Sequence, residues 1–423
     1  MAVGDAGYPQ GSGLRPWTER GGSFDAVGNS GVSRPPVPYL GAVASRCGPP
    51  MLTAAQTKLF ARTKHHAMED LSAIALVYSA WRLDGGVYEL NIDLANYAAS
   101  IEYPIGSTPT PVLFSGQYFG VVPAGEDLRS DMTPLPVVIP RGAAFYVRTF
   151  QTGATISYHT IPGLAANADS GEFITFGSGS VDLTRVTTNL ANQQGGIAFR
   201  PTAIVGFTTR PTFLLTGDSR CNAAAYDVVT DGFGLSGELE RPLGMRFGTI
   251  NVGIQGEKLS TAVTSFTKRL RLLQYTSAVA CNYGINDLVF GGGNATTLSA
   301  SVVTFAALHG KPHYHSTLSP NATTSNAYAD LAGQTVGTGN AQRVLFNNMV
   351  RALKAPLTGY LEIADVVESS RDSGLFKSVV QAPAITLYGS TFSAGVVNGD
   401  ALHINGYGGH LIQANAGLPP TLR

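Results

Sequence analysis

A serine, an aspartate and a histidine stand where their types and spacing could do acyl-transfer chemistry. Ser219 lies in Pro211-Thr-Phe-Leu-Leu-Thr-Gly-Asp-Ser-Arg220, where the apolar run Phe213 to Leu215 ends abruptly in a polar turn. Asp400 and His403 are three apart near the C-terminus. On a helical turn that spacing lets the carboxylate hold the imidazole in one tautomer. A serine hydroxyl beside such an imidazole is an activated nucleophile. Two further polar turns end in Gly256 and in Gly284-Ile-Asn286-Asp287. Taken singly, each feature has a plain structural explanation. Serine is a common turn residue, Asn286 suits a strand cap, and Asp400 with His403 suits a surface pair.

Those residues need a scaffold that brings them together. After Pro211 the pattern alternates strands and helices. Phe213–Thr216, Met245–Asn251, Ser277–Asn282, His313–Leu318 and Leu361–Val367 read as strands. Leu259, Val263, Phe266 and Leu270 recur at helical spacing, as do Leu345, Met349 and Leu353, and a last helix is expected over Gly408–Ala416. Such a series implies a parallel sheet covered by helices on both faces. The carboxyl ends of its strands lie on one edge, so the three polar turns converge there. Residues 52–210 read differently. Short aromatic and β-branched runs, such as Ala73–Leu83 and Ala143–Phe150, alternate with Gly- and Pro-containing turns, and a short helix is expected over Ala54–Thr63. That pattern predicts an antiparallel β-sandwich of jelly-roll type. Trp81 and the tyrosines of such a domain are candidates for carbohydrate binding, though a core or strand-pairing role is preferred for them. Residues 1–51, rich in Gly, Pro and Ser, read as an arm or linker that docks on the chain itself, a neighbouring subunit or a larger assembly. The expected domains are therefore 1–51, 52–210 and 211–423.

Four blocks of the last segment resemble the SGNH, or GDSL-type, hydrolase family, and they occur in the family's order. They are Gly217-Asp218-Ser219, Asn251-Val-Gly-Ile-Gln-Gly256, Gly284-Ile-Asn286-Asp287 and Asp400-Ala-Leu-His403 with Asn405 and Gly408. Ser370-Arg-Asp-Ser-Gly-Leu-Phe376 is also similar to the family, and the resemblance covers residues 211–420. It implies a flavodoxin-like three-layer α/β domain and a serine esterase. It further implies Ser219 as nucleophile, His403 as general base and Asp400 as its orienting acid. The oxyanion hole would comprise the Ser219 and Gly256 backbone N–H groups and the Asn286 amide. Arg220 departs from the family's usual apolar or small residue and is expected to meet the substrate. The implied substrate is a carboxylic ester, foremost an O-acetyl group on a carbohydrate. A lipid ester or thioester is the nearest alternative. The rival of another class is a virion or cell-surface structural protein with an auxiliary hydrolase domain.

Composition narrows the alternatives. The 423 residues carry 28 Lys and Arg against 28 Asp and Glu, so no basic excess exists to neutralise nucleic-acid phosphates. No apolar stretch is long enough to predict a membrane span. The N-terminus lacks the pattern of a secretory signal. The low charge and 50 glycines favour an extracellular or particle-associated protein over a cytoplasmic one. Homo-oligomerisation through the arm is a further expectation. Cys47, Cys221 and Cys281 form neither a disulfide framework nor a zinc pattern. Cys221 is a less suitable nucleophile than Ser219. His313 and His315 share a strand face but lack a third ligand at useful spacing, so no metal is expected. Gly232-Phe-Gly234-Leu-Ser-Gly237 fits a dinucleotide-loop pattern without the preceding strand it needs, so no cofactor is expected. Asp218 and Asp287 read as turn-stabilising residues.

Overall fold

The architecture is that of a computed structural model. It describes residues 37–159, 171–187, 190, 198–222, 227, 234–387, 390–419 and 422. The expected arm lies outside the described residues over 1–36, as do positions 232 and 233 of the glycine-rich loop.

Among the described residues, the C-terminal half is built on a five-stranded sheet in which every pair is parallel. In chain order its strands are Thr212–Thr216, Gly248–Asn251, Ala278–Cys281, His313–Ser316 and Leu357–Leu361, and they lie in the order 2-1-3-4-5. That is the flavodoxin-like order, which places a binding crevice where the first and third strands diverge. Alternate residues face opposite layers. Leu214, Ile250 and Val279 join one buried cluster with Leu298, Val302 and Phe346 from the helices Ala295–His309 and Asn340–Arg351. Phe213, Leu215, Ala278 and Ala280 join another with Leu411 and Ile412 from the helix Gly406–Asn415. Burial on both faces accounts for the apolar runs Phe213–Leu215 and Ala278–Cys281, while the polar His313–Ser316 is buried along its whole length as well.

Among the described residues, the N-terminal half is built on two large antiparallel sheets, of five and six strands. One orders Tyr39–Ala42, Ala203–Thr208, Leu71–Ser79 and Asp127–Arg129, with Thr133–Ile139 also on Leu71–Ser79. The other runs Phe173–Phe176, Lys58–His66, Ala144–Gly153, Ala95–Glu102 and Thr110–Val112, with Gly120–Val122 also paired to Ala95–Glu102. Leu76 and Tyr78 of the first sheet share a core with Leu59, Tyr97 and Val147 of the second. The Tyr78 and Tyr97 rings stack at 4.5 Å between centroids. The opposite face of the first sheet sends Ala75, Val77, Ala203 and Val205 into the cluster that holds Leu214 and Ile250. That sheet is thus buried on both sides, and its second covering layer is the parallel sheet with its helices.

Several expectations need correction. Ala54–Thr63 is not helical: strands Leu52–Ala54 and Lys58–His66 occupy it. The polar Arg62 there is buried against Glu102 at 2.6 Å, so charge did not mark a solvent face. Leu361–Val367 is not a strand. The fifth strand of the parallel sheet is Leu357–Leu361, and Ala364–Val367 is a helical turn. The expected crossover helix ends at Ser265 and a 3₁₀ helix follows over Arg269–Tyr275. Helix Ala295–His309 was not expected. Residues 37–51, read as the end of an arm, belong to the fold. Tyr39–Ala42 pairs with Ala203–Thr208, and the carbonyls of Ala44 and Cys47 accept Thr249 N–H and Asn251 N–H at 3.0 and 2.8 Å. This segment therefore lines the outer edge of the parallel sheet. A Cβ on Gly248 would fall 1.8 Å from the Ala42 carbonyl, so only glycine admits it. Trp81 is fully buried and donates Nε1–H to Asp127 at 2.6 Å, so it is no surface platform for a sugar.

Candidate active site

Ser219 sits on the turn after the strand Thr212–Thr216. Its hydroxyl lies 2.7 Å from His403 Nε2, and His403 Nδ1 lies 2.7 Å from Asp400 Oδ2. With Nδ1–H donating to Asp400, Nε2 is left to accept the serine proton. The Asp400–His403 turn is held by its own side chains. Asp400 Oδ1 accepts the N–H groups of Leu402 and His403 at 3.1 and 2.8 Å. Asn398 Oδ1 accepts those of Asp400 and Ala401 at 3.0 and 2.6 Å, and the Tyr328 hydroxyl at 2.8 Å. Asn405 then caps the helix Gly406–Asn415 through Gly408 N–H at 3.0 Å.

The electrostatics favour a usable base. Burial lowers the His403 pKa from the ordinary value of 6.5, the Asp400 carboxylate opposes that, and the positive Arg220 adds to it. Burial tends to raise Asp400, but the hydrogen bonds from His403 outweigh it and hold the carboxyl below its ordinary value. Asp218 is different: burial raises it to about 7. Its Oδ1 accepts Arg220 N–H at 2.9 Å, while Oδ2 has no partner among the described residues.

The three strand-end turns are bonded to one another. Ile254 N–H donates to the Gly217 carbonyl at 2.8 Å, and Asn222 Nδ2 donates to the Gly253 carbonyl at 2.8 Å. A Cβ on Gly253 would come within 2.9 Å of Cys221 Cβ and 3.2 Å of the Gly217 carbonyl, so glycine allows the close approach. Gly256 has φ +74°, in the left-handed region, and a Cβ there would meet nothing within 4 Å. Asn286 is buried, and its Nδ2 donates to the Glu257 carbonyl at 3.3 Å. Asp287 accepts the N–H groups of Leu259 and Ser260 at 2.8 and 3.0 Å, tying the third turn to the helix that follows Gly256. Asn286 and Asp287 open a π-helical turn, Asn286–Phe290.

Arg220 has a different place from the one expected. It is 2% exposed, and its guanidinium donates to three backbone carbonyls: Leu402 at 3.1 Å, Ser319 at 2.8 Å and Pro320 at 2.7 Å. It clasps the histidine-bearing turn from inside and has no open path to substrate. Cys221 is buried and its thiol pKa is pushed well up by burial, which leaves it inert as a nucleophile. His313 and His315 are buried; His313 Nδ1 lies 2.9 Å from His309 Nε2. Asn398 holds the acid-bearing turn although it belongs to none of the four blocks. Its signal in the sequence is Asn398-Gly-Asp400, an Asx turn just before the acid.

No protein-family model and no curated protein sequence matches the chain. Solved structures similar to it are acylhydrolases, GDSL-type lipases and carbohydrate esterases. A GDSL-like lipase from Bacteroides thetaiotaomicron is 15% identical, with a TM-score of 0.30 over 48% of this chain and 84% of its own. A carbohydrate esterase family 3 structure from Talaromyces cellulolyticus is 13% identical, with a TM-score of 0.29 over 48% of this chain and 93% of its own. A Bacillus subtilis protein is 12% identical, with a TM-score of 0.31 over 83% of this chain and 78% of its own.

Proposed function

We propose that this chain is a serine esterase that hydrolyses carboxylic esters through an acyl-enzyme on Ser219. The observation that carries the proposal is the unbroken hydrogen-bond chain from Ser219 Oγ through His403 to Asp400. Ser219 Oγ attacks the ester carbonyl while His403 Nε2 takes its proton. Asp400 stabilises the resulting imidazolium. The tetrahedral oxyanion is received by the N–H groups of Ser219 and Gly256 and by Asn286 Nδ2. His403 then protonates the departing alcohol. Water, deprotonated by His403, attacks the acyl-serine and releases the acid. The turn at Gly256 suits its part, because an exposed glycine leaves the N–H open to substrate.

The substrate we propose is an O-acetyl group on a carbohydrate. The resemblance of the four blocks to SGNH hydrolases supports it. So does the Gly256 turn, which faces open space and leaves room for a bulky alcohol portion. Residues 52–210, together with the strand Tyr39–Ala42 that pairs into them, are read as a β-sandwich that accompanies the α/β half, supported by the two large antiparallel sheets around one core. Activity on p-nitrophenyl acetate, followed by release of acetate from acetylated xylan, pectin and bacterial glycans, tests the proposal. Ser219→Ala should lower kcat by roughly 10⁴- to 10⁶-fold. Retention of activity in that variant places the nucleophile elsewhere, and an inactive wild-type chain favours the structural rival.

A further inference from the structure

Glu89 belongs to the N-terminal half, on the hairpin formed by Trp81–Asp84 and Tyr88–Asn91. The catalytic steps above give it no role. Its side chain is 4% exposed and reaches into the α/β half. There it accepts the N–H groups of Thr267 at 3.1 Å, Lys268, and Arg269 at 3.3 Å. It also accepts the Thr267 hydroxyl and Arg269 Nε, both at 2.7 Å. This is the point where the crossover helix is broken, so Glu89 satisfies the N–H groups that open the following 3₁₀ helix.

The remaining nitrogens of Arg269 point the other way. Nη1 and Nη2 donate to Glu257 Oε2 and Oε1 at 2.7 and 2.8 Å, a two-pronged contact. Glu257 directly follows Gly256, and its carbonyl accepts Asn286 Nδ2. Its carboxylate also accepts the hydroxyl of Tyr283, which in turn accepts Thr216 Oγ1 at 3.2 Å. Thr216 precedes Gly217 in the turn that carries Ser219. One buried network thus touches all three turns of the site and ends on the N-terminal half. A second contact is independent of it: at the tip of the same hairpin, a Cβ on Gly85 would lie 3.4 Å from the Gln255 carbonyl, one residue before Gly256.

From this we infer that Glu89 is a positioning residue for the oxyanion donors Gly256 and Asn286, acting through Arg269 and Glu257. The inference rests on the esterase proposal. Without the Glu89 charge, Arg269 keeps one carboxylate and loses the anchor that sets its orientation, so Glu257 shifts and carries both donors with it. Oxyanion donors act only within a narrow distance of the developing charge.

The test uses the full chain as wild type, Glu89→Gln and Glu89→Asp. It compares kcat and KM on p-nitrophenyl acetate, inhibition by phenylboronic acid, and melting temperature. The boronate forms a tetrahedral adduct on the serine and so reports on the oxyanion site. In Glu89→Gln, kcat should fall roughly ten- to a hundredfold with KM nearly unchanged, as expected for a misplaced catalytic group. Boronate affinity should weaken in step with kcat, and Glu89→Asp, which keeps the charge, should retain more of both. An unchanged kcat in a folded Glu89→Gln variant overturns the inference. So does a loss that merely follows the unfolded fraction and disappears on cooling. If Glu89→Gln does not fold, Glu89→Asp decides by the same criteria. An inactive wild-type chain overturns the esterase proposal and this inference together, whereas an active wild type with an indifferent variant overturns the inference alone.

Discussion

In the proposed reaction His403 acts as general base only while Nε2 is unprotonated, so its pKa would set the acid limb of the rate profile. Burial and the nearby Arg220 hold that pKa below 6.5 despite Asp400. Falling pH therefore protonates the base late, and the acid limb of kcat/KM should have its midpoint below 6.5. A pH profile on a neutral acetyl ester checks this, and a midpoint above that value contradicts the assigned environment. Arg220 offers a second residue-level prediction. Its three carbonyl contacts come from three different guanidinium nitrogens, a fork that an ammonium cannot reproduce. Arg220→Lys keeps the charge and loses the clasp, so kcat should drop by about tenfold while KM stays level. A rise in KM confined to anionic esters would instead restore Arg220 as a substrate contact. That expectation arose because its partners, Ser319, Pro320 and Leu402, are far away in the chain, and nothing beside Ser219 announces them.

Turns rather than strands decide how the site is assembled. Gly253 and Gly256 separate two uses of glycine five residues or fewer beyond the same strand. At Gly253 an added Cβ strikes Cys221 and the Gly217 carbonyl, whereas at Gly256 it meets nothing but demands a left-handed backbone. Gly253→Ala should push the second turn off the first and cost about 1–3 kcal/mol of stability. Its kcat should fall more than that of Gly256→Ala, whose expense is mainly backbone strain of about 1–2 kcal/mol. Urea melts beside steady-state kinetics on both variants give the comparison, and equal kcat in the two would count against it. The four blocks were legible because together they resemble the SGNH blocks in the family's order, each at a strand end or just before a helix; any one of them alone is a weak signal. The first and third parallel strands were legible because burial on both faces leaves brief apolar runs. Helix Ala295–His309 was not, because its small and β-branched residues blur any apolar stripe; only the Asn294–Thr297 capping box and Gly310 marked its ends. The run from Leu361 to Val367 misled because its apolar residues straddle a strand end and a helical turn. The Glu89–Arg269–Glu257 network was invisible for a related reason. A charged residue reads as solvent-facing until its partner from another element is known.

At the scale of the whole molecule, the two halves share one buried cluster and should therefore fold as one cooperative body, which division of the chain tests. Trp81, Leu83, Val77 and Val205 from the N-terminal half are buried in the same cluster as Leu214, Ile250 and Val252 of the parallel sheet. Each such side chain contributes roughly 1.5–3 kcal/mol when buried. Four of them together approach the ~5–15 kcal/mol net stability of a typical domain. Cutting the chain at 210/211 also strips Ala44 and Cys47 from the edge strand Gly248–Asn251, leaving its N–H groups unpaired beside an exposed apolar face. Residues 211–423 expressed alone should therefore be insoluble or lack a cooperative melt, even though they hold Ser219, Asp400 and His403. Co-expression with residues 1–210 should recover soluble, active complex, because the contacts that hold the halves are non-covalent. Soluble yield, circular dichroism and p-nitrophenyl acetate turnover decide the matter. A folded, fully active 211–423 fragment would mean that the N-terminal half is a detachable accessory. It would also mean that the shared core and the Glu89 network are dispensable to the site they adjoin.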